Sequence, residues 1–224
     1  MLVACAQPNT ERRTDFTVEG IDVSHHQAVI DWEAVAGEDF DFTFLKATEG
    51  VEHTDTRFCE NWASAKTAGL ITGAYHFFRP EISARQQADN FHRLVTLKTG
   101  DLPPVLDVET LGAASPAELI SGVRTWLYLA EIRYGVKPIL YTNLKFYYRY
   151  LAGQFEDYPL WIARYGEHEP TLAPDTDLAF WQYGNRGRVA GIDGNVDLNV
   201  YFGTEASFNA LRVSEPAVLT MVEP

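Results

Sequence analysis

Cysteine is scarce. The chain has two in 224 residues, Cys5 and Cys59, so neither a disulfide framework nor a cysteine-rich zinc site can be built from it. Long apolar runs are missing as well, since none approaches the roughly 18 to 20 residues that a membrane-spanning helix requires. Cations are outnumbered. Lys and Arg total 18 against 31 Asp and Glu, a net charge of −13, which is the wrong sign of field for holding a nucleic acid or an anionic membrane. Glycine and proline, 16 and 11 in number, are scattered rather than concentrated, which excludes collagen-like repeats and wholesale disorder. What is present is the material of a core: 46% of residues are hydrophobic and 13% aromatic, enough for one domain of this length.

Residues 1–17 are mostly polar and read as an N-terminal tail or tether, residues 18–212 as the folded unit, and residues 213–224 as a C-terminal tail. Within the first of these, Leu2-Val3-Ala4-Cys5 has the pattern of the lipobox at which bacterial lipoproteins are cleaved and acylated. The basic and apolar parts of a signal peptide are not upstream of it, so the expectation is either a truncated signal or another route of export.

From Val18 onward, strand-like and helix-like segments alternate. Glu19–Val23, Phe42–Thr48, Leu70–Phe77, Pro104–Val108 and Lys137–Tyr141 read as strands; Arg57–Ala68, Ser83–Leu97 and Ser115–Tyr134 read as helices. The last helix is the best marked, with Ser115 as N-cap, Pro116 at the first helical position, Glu118 in the first turn, and Gly135 then Pro138 to end it. After about residue 150 the rhythm changes. Pro159–Ala163, Leu178–Tyr183 and Asn195–Val200 are strand-like, with only Gly-, Pro-, Asp- and Asn-containing loops between them. The expected fold is therefore α/β: an irregular TIM-like β/α barrel of five βα units followed by three strands that lack full crossover helices.

Candidate chemistry collects at the predicted strand ends, where a βα barrel places its active site. Asp107-Val108-Glu109 ends a central strand, and residues i and i+2 of a strand face the same way. Two such carboxyls, one ionised and one protonated, form the pair that glycosidic cleavage uses; the alternative is a pair of loop-facing acids that cap the next segment or bind Arg. On this reading Asp107, as a like charge, raises the pKa of Glu109. Asp22, in Gly20-Ile21-Asp22-Val23-Ser24-His25-His26-Gln27, lies beside two histidines and offers a second reading, a metal-dependent site. Asp197 enters the last strand from a Gly- and Asn-rich turn. Tyr75, Phe77, Tyr141, Trp161, Tyr165, Trp181 and Tyr183 sit at the same strand ends. Sugar rings have apolar faces, so aromatic platforms beside carboxylates suit a glycan cleft.

Taken in order, GIDVSHHQ with Asp31-Trp32, FTFLKATEG, TAGLITGAYHFFRP, PPVLDVE, PILYTN, PLWIARY, AFWQY and NVDLN resemble the Ch-type lysozymes, glycoside hydrolase family 25, from about Gly20 to Gly203. The resemblance implies hydrolysis of the β-1,4 bond between N-acetylmuramic acid and N-acetylglucosamine in peptidoglycan. It also implies Glu109 as general acid, Asp107 as its partner carboxylate, Asp22 and Asp197 as flanking acids, and Tyr75, Tyr141, Trp161, Trp181 and Tyr183 as cleft aromatics. His25-His26 depart from the pattern, because family members often carry an aromatic residue there. No cofactor or metal is expected, the partner is the peptidoglycan glycan strand, and the protein should act as a monomer outside the cytoplasm. Two other readings differ in class: a metal-dependent glycan deacetylase using Asp22 and His25, and a barrel that binds wall glycan without cleaving it.

Overall fold

The computed structural model describes residues 12–13, 15–174 and 176–214. Eight strands close a barrel. They are β1 (Glu19–Val23), β2 (Phe42–Glu49), β4 (Ile71–Phe77), β5 (Val105–Asp107), β6 (Ile139–Asn143), β7 (Leu160–Ala163), β8 (Leu178–Gly187) and β9 (Val196–Tyr201); a two-residue strand, β3 (His53–Thr54), pairs only with the end of β2. Neighbours from β1 through β8 run parallel, whereas β9 is antiparallel to both β8 and β1. That reversal has a functional consequence. The start of β9, not its end, lies at the rim formed by the C-terminal ends of the other strands, and Asp197 pairs there in register with Asp22 of β1.

Helices α1 (Trp32–Ala36), α2 (Phe58–Thr67), α3 (Ala84–Leu94) and α4 (Pro116–Tyr134) pack outside, followed by one turn, α5 (Leu144–Phe146), that runs into a π-turn over Tyr147–Leu151. The capping of α4 follows the sequence signals: Ser115 and Glu118 form a reciprocal capping box, and Gly135 closes the helix at φ 68°. The short α1 escapes periodicity because five residues span little more than one turn, yet Asp31 caps it and it buries Trp32 and Val35. A last helix, α6 (Glu205–Leu211), was also below the length that a hydrophobic pattern reveals.

Strand alternation separates two apolar layers. Leu45, Leu106, Leu140 and Ile162 point outward to meet Phe58, Phe91 and Trp126 of the helices. Phe42, Phe44, Val105, Ile139, Trp161 and Phe180 point inward and fill the barrel. Room for the two large Phe rings comes from glycines on neighbouring strands, since a Cβ at Gly20 would lie 2.4 Å from Phe42 O and one at Gly73 2.4 Å from the Phe44 ring. Phe208 of α6 packs on Phe42 and Tyr201 at 5.6 and 5.2 Å between centroids and closes the barrel at the bottom. The open end is the C-terminal one.

The described part of the N-terminal stretch is packed onto the barrel. Arg12 pairs with Glu19 at 2.8 Å and lies over Phe40, while Phe16 and Arg13 cover Trp181. The lipobox-like Leu2–Cys5 and the end of the C-terminal stretch lie outside the described residues. Among the described residues no helix is long and apolar enough to cross a membrane.

Candidate active site

A cavity of about 240 Å³ opens at the C-terminal ends of the strands. Asp22, Asp107, Glu109 and Asp197 all line it, together with Tyr75, Phe77, Tyr141, Trp161 and Tyr165. Strand parity accounts for this gathering: each of these side chains occupies an inward position on its strand or, for Glu109 and Tyr165, lies two residues past the strand's end. On β5, Val105 and Asp107 face in while Leu106 and Val108 face the helices. The chain is held to β6 beyond the strand itself, by Val108 N–H donating to Tyr141 O at 2.9 Å and Thr142 Oγ1 donating to Val108 O at 2.6 Å. Glu109 therefore leaves the sheet from a fixed point and keeps the same side as Asp107.

Asp22 is the best anchored of the four. Its Oδ2 accepts from Gln182 Nε2 at 2.7 Å and from Asn199 Nδ2 at 2.8 Å. Both amides are themselves oriented: Gln182 Oε1 accepts from the hydroxyls of Tyr141 and Tyr165, each at 3.0 Å, and Asn199 Oδ1 accepts from Trp161 Nε1 at 2.9 Å. Aromatic wall and acid are thus one hydrogen-bonded unit. Asp107 is the opposite case, because its Oδ1 is buried with no hydrogen-bond partner among the described residues.

Burial dominates the electrostatics. It pushes Asp22 up to about 6, although the bonds from Asn199 and Gln182 favour its charged form. Asp197 is pushed up to about 8 by burial and by the charge of, and hydrogen bond with, Asp22, so it is the member of that pair that holds the proton. Burial and then the charge of Glu109 raise Asp107 well above the ordinary range; Glu109 is raised by burial, against the opposing effects of Tyr141 and Lys46. Asp107 and Glu109 are like charges that oppose each other's ionisation, and Asp107 is the deeper of the two.

Two expected cleft aromatics lie elsewhere. Trp181 and Tyr183 belong to the outer layer, where Trp181 donates to Arg164 O at 2.8 Å and packs against Phe16 and Tyr183. The reason is parity: on β8 the inward positions are Phe180 and Gln182, and the two aromatics fall between and after them. His25 and His26 are not on a strand but in a 3₁₀ turn capped by Ser24. The two rings pack together, 4.1 Å between centroids, but their other contacts differ. His26 and Ser24 line the cavity, whereas His25 bonds Asp55 at 2.7 Å, so the Asp22–His25 pairing of a metal-dependent deacetylase is not formed. Among the described residues no three His, Cys, Asp or Glu side chains converge as a metal site.

Lys46, Gln182 and Asn199 line or support the site without having been singled out from sequence. Lys46 is paired with Glu49 at 2.7 Å and lies over the Phe77 ring. For Asn199 the available signal was register, since it lies two residues after Asp197 and shares its inward parity; no identified neighbour marked Gln182 or Lys46 in this way.

Comparison with known proteins agrees with this geometry. The family model "Glycosyl hydrolases family 25" matches residues 21–192. Lysozyme M1 of Streptomyces globisporus is 36% identical over 208 residues, covering 87% of this chain and 71% of the lysozyme. YegX, an uncharacterized protein of Escherichia coli K12, is 44% identical over 203 residues, covering 87% and 73%. The structure of a family 25 glycosyl hydrolase from Bacillus anthracis superimposes with a TM-score of 0.83 at 31% identity, covering 90% of this chain and 96% of the other. With the barrel, the acidic cleft and the sequence match in agreement, this chain belongs to glycosyl hydrolase family 25.

Proposed function

We propose that this protein is an N-acetylmuramidase that hydrolyses the β-1,4 bond between N-acetylmuramic acid and N-acetylglucosamine in peptidoglycan, with Glu109 as general acid and Asp107 as the carboxylate that steers the substrate's acetamido group. The observation that carries the assignment of roles is the contrast between the acids: Asp107 is buried with an unpartnered oxygen in the cavity, and Glu109 stands nearer the opening. The pair holds one proton between its members, as close like charges in a dry site do. A sugar whose acetamido N–H donates to Asp107 favours the ionised form there and leaves the proton on Glu109.

The chemistry then balances. Glu109 gives its proton to the glycosidic oxygen as the bond to the anomeric carbon breaks, and the acetamido carbonyl oxygen bonds to that carbon from the other face. Asp107 takes up the N–H proton as the ring forms, which its raised pKa favours. Water adds to the anomeric carbon with Glu109 now the base, the ring reopens, and Asp107 returns its proton. The configuration is retained. Asp22, held ionised by Gln182 and Asn199, supplies negative potential to the cationic transition state. All these groups come from one chain, in keeping with action as a monomer, and the polymer substrate sets the place of action outside the cytoplasm.

The test is Glu109→Gln, assayed on purified peptidoglycan by release of muramic reducing ends. It should lower kcat by about 10²- to 10⁴-fold with no loss of melting temperature. Wild-type turnover by this variant would refute the role of Glu109, and a first-formed anomer of inverted configuration, read by proton NMR, would refute retention.

A further inference from the structure

Glu109 has a second side. Besides the acidic cavity it lines a shallower groove of about 320 Å³, whose far wall is made by Asn143, Lys145, Phe146, Arg149 and Tyr150 from α5 and the π-turn. The two hollows differ in charge: one holds four carboxyl groups and Lys46, which is paired with Glu49, while the other holds two cations and shares Glu109. Lys145 and Arg149 are both exposed, and neither has a carboxylate partner among the described residues. In a chain with 18 cations and 31 acids, two cations left unpaired side by side are a local reversal of the protein's field. They are also held in place. Arg149 lies over the Tyr150 ring at 5.1 Å, and Tyr150 packs on Phe146 at 4.8 Å, so the guanidinium rests on a fixed aromatic step.

Because Glu109 stands between the hollows, a glycosidic oxygen above it has one sugar in the acidic cavity and the other over this groove. The forming cation belongs among the carboxylates, so the departing half of the strand belongs over the cations. We propose that Lys145 and Arg149 bind carboxylates carried by the departing half of the glycan strand, which makes the enzyme selective for anionic strands; this rests on the muramidase reading above. The carboxylates have two sources in such a polymer, the free carboxyls of the peptide stem and, on muramic residues that carry no stem, the lactyl carboxyl that a stem otherwise occupies as an amide. Both offer the planar acceptor that a guanidinium fits.

The experiment compares wild type with the Lys145→Gln/Arg149→Gln double variant on three substrates: intact peptidoglycan, the same material with its carboxylates converted to amides by carbodiimide and ammonia, and strands stripped of stems by an amidase, which removes the stem carboxylates and frees the lactyl one. Wild type should show a KM about three- to tenfold higher on amidated than on intact material, the range expected for one or two exposed ion pairs, with kcat little changed. The double variant should show the higher KM on both. Stripped strands that keep the low KM show that the freed lactyl carboxylate suffices; strands that lose it assign the stem. Equal KM values for wild type on intact and amidated material would overturn the inference while leaving the muramidase reading intact, and so would a double variant that still distinguishes them. Failure to release reducing ends from any of the three would overturn both.

Discussion

The acidic cleft should make the fold less stable as pH rises, and the effect can be sized. Asp22 goes from an ordinary 3.8 to about 6 and Asp197 from 3.8 to about 8 on folding. For a carboxyl raised in the native state, the native protein binds more protons than the unfolded chain, so its contribution is complete below pH 3.8 and is lost as pH climbs through the folded value. For Asp22 alone the shift corresponds to about 3 kcal/mol between pH 4 and 7. Asp197 extends the window to pH 8, but the two share a proton and their contributions are not additive. In a domain of this size about 3 kcal/mol is worth roughly 6 to 12 °C of melting temperature. Other groups also titrate: Glu49, held down at about 2 by Lys46 and Arg79 despite its burial, and His76, buried and depressed to about 4, both add stability at the alkaline end of the range. The informative quantity is therefore the difference between wild type and Asp22→Asn/Asp197→Asn, melted by calorimetry at pH 4.5 and 8. The double variant should gain on wild type as pH rises, ending several degrees more stable relative to wild type at pH 8 than at pH 4.5. A difference that is flat across the range, or that favours wild type at pH 8, would refute the assignment of the raised carboxyls.

Removing one amide donor from Asp22 should move activity along the pH axis: Gln182→Leu loses a bond to a charged acceptor, worth about 1.5 to 3 kcal/mol, so the acidic limb of the kcat/KM profile should rise by about one to two pH units. An unmoved limb would show that Asp22 need not be ionised. The two tryptophans should separate cleanly, with Trp161→Phe raising KM and disturbing Asn199, and Trp181→Ala leaving KM alone while costing about 3 to 5 kcal/mol of stability as a filled site is emptied; denaturant unfolding and steady-state kinetics on the same preparations decide it.

Element order and strand positions were legible because each strand carried its own apolar run. The predicted starts and ends lie within a few residues of Glu19–Val23, Phe42–Glu49, Ile71–Phe77 and Leu160–Ala163. The D-x-E pair was legible for a local reason too, the two-residue period that turns Asp107 inward and Leu106 outward. The expectation for Trp181 fails on that same period: position at a strand end does not say which face a side chain takes, and Trp181 falls on the outward one. Gln182, sitting between the two aromatics that were chosen, is the residue that faces the cleft. Partners far apart in sequence could not be read at all. The Asp22 bonds to Gln182 and Asn199 span 160 and 177 residues, and nothing local to either end announces them.

The antiparallel closure explains why so much acid can be concentrated in one place. A barrel closed by a parallel last strand would present that strand's end at the rim; here the start of β9 is there, arriving from a polar Gly- and Asn-rich turn, and Asp197 is set opposite Asp22 by backbone register. Cross-strand like charges repel. The repulsion is relieved by a shared proton rather than by a cation, which preserves the negative field that a positively charged sugar centre needs. The cost is carried by the layers beneath, where Phe42, Phe44, Trp161 and Phe180 pack edge to face or stacked and Phe208 closes the floor. A cleft that opposes folding is tolerable only over a core that is filled, and the two glycines that admit Phe42 and Phe44, Gly20 and Gly73, are where that core is most exposed to mutation. Gly73→Ala, which forces a methyl to within 2.4 Å of the Phe44 ring, should therefore lower the melting temperature by roughly 2 to 12 °C, as overpacking costs about 1 to 3 kcal/mol, and should do so equally at pH 4.5 and pH 8. A loss that grew with pH would mean that the strain passes from Phe44 through the stacked Trp161 to Asn199 and Asp22.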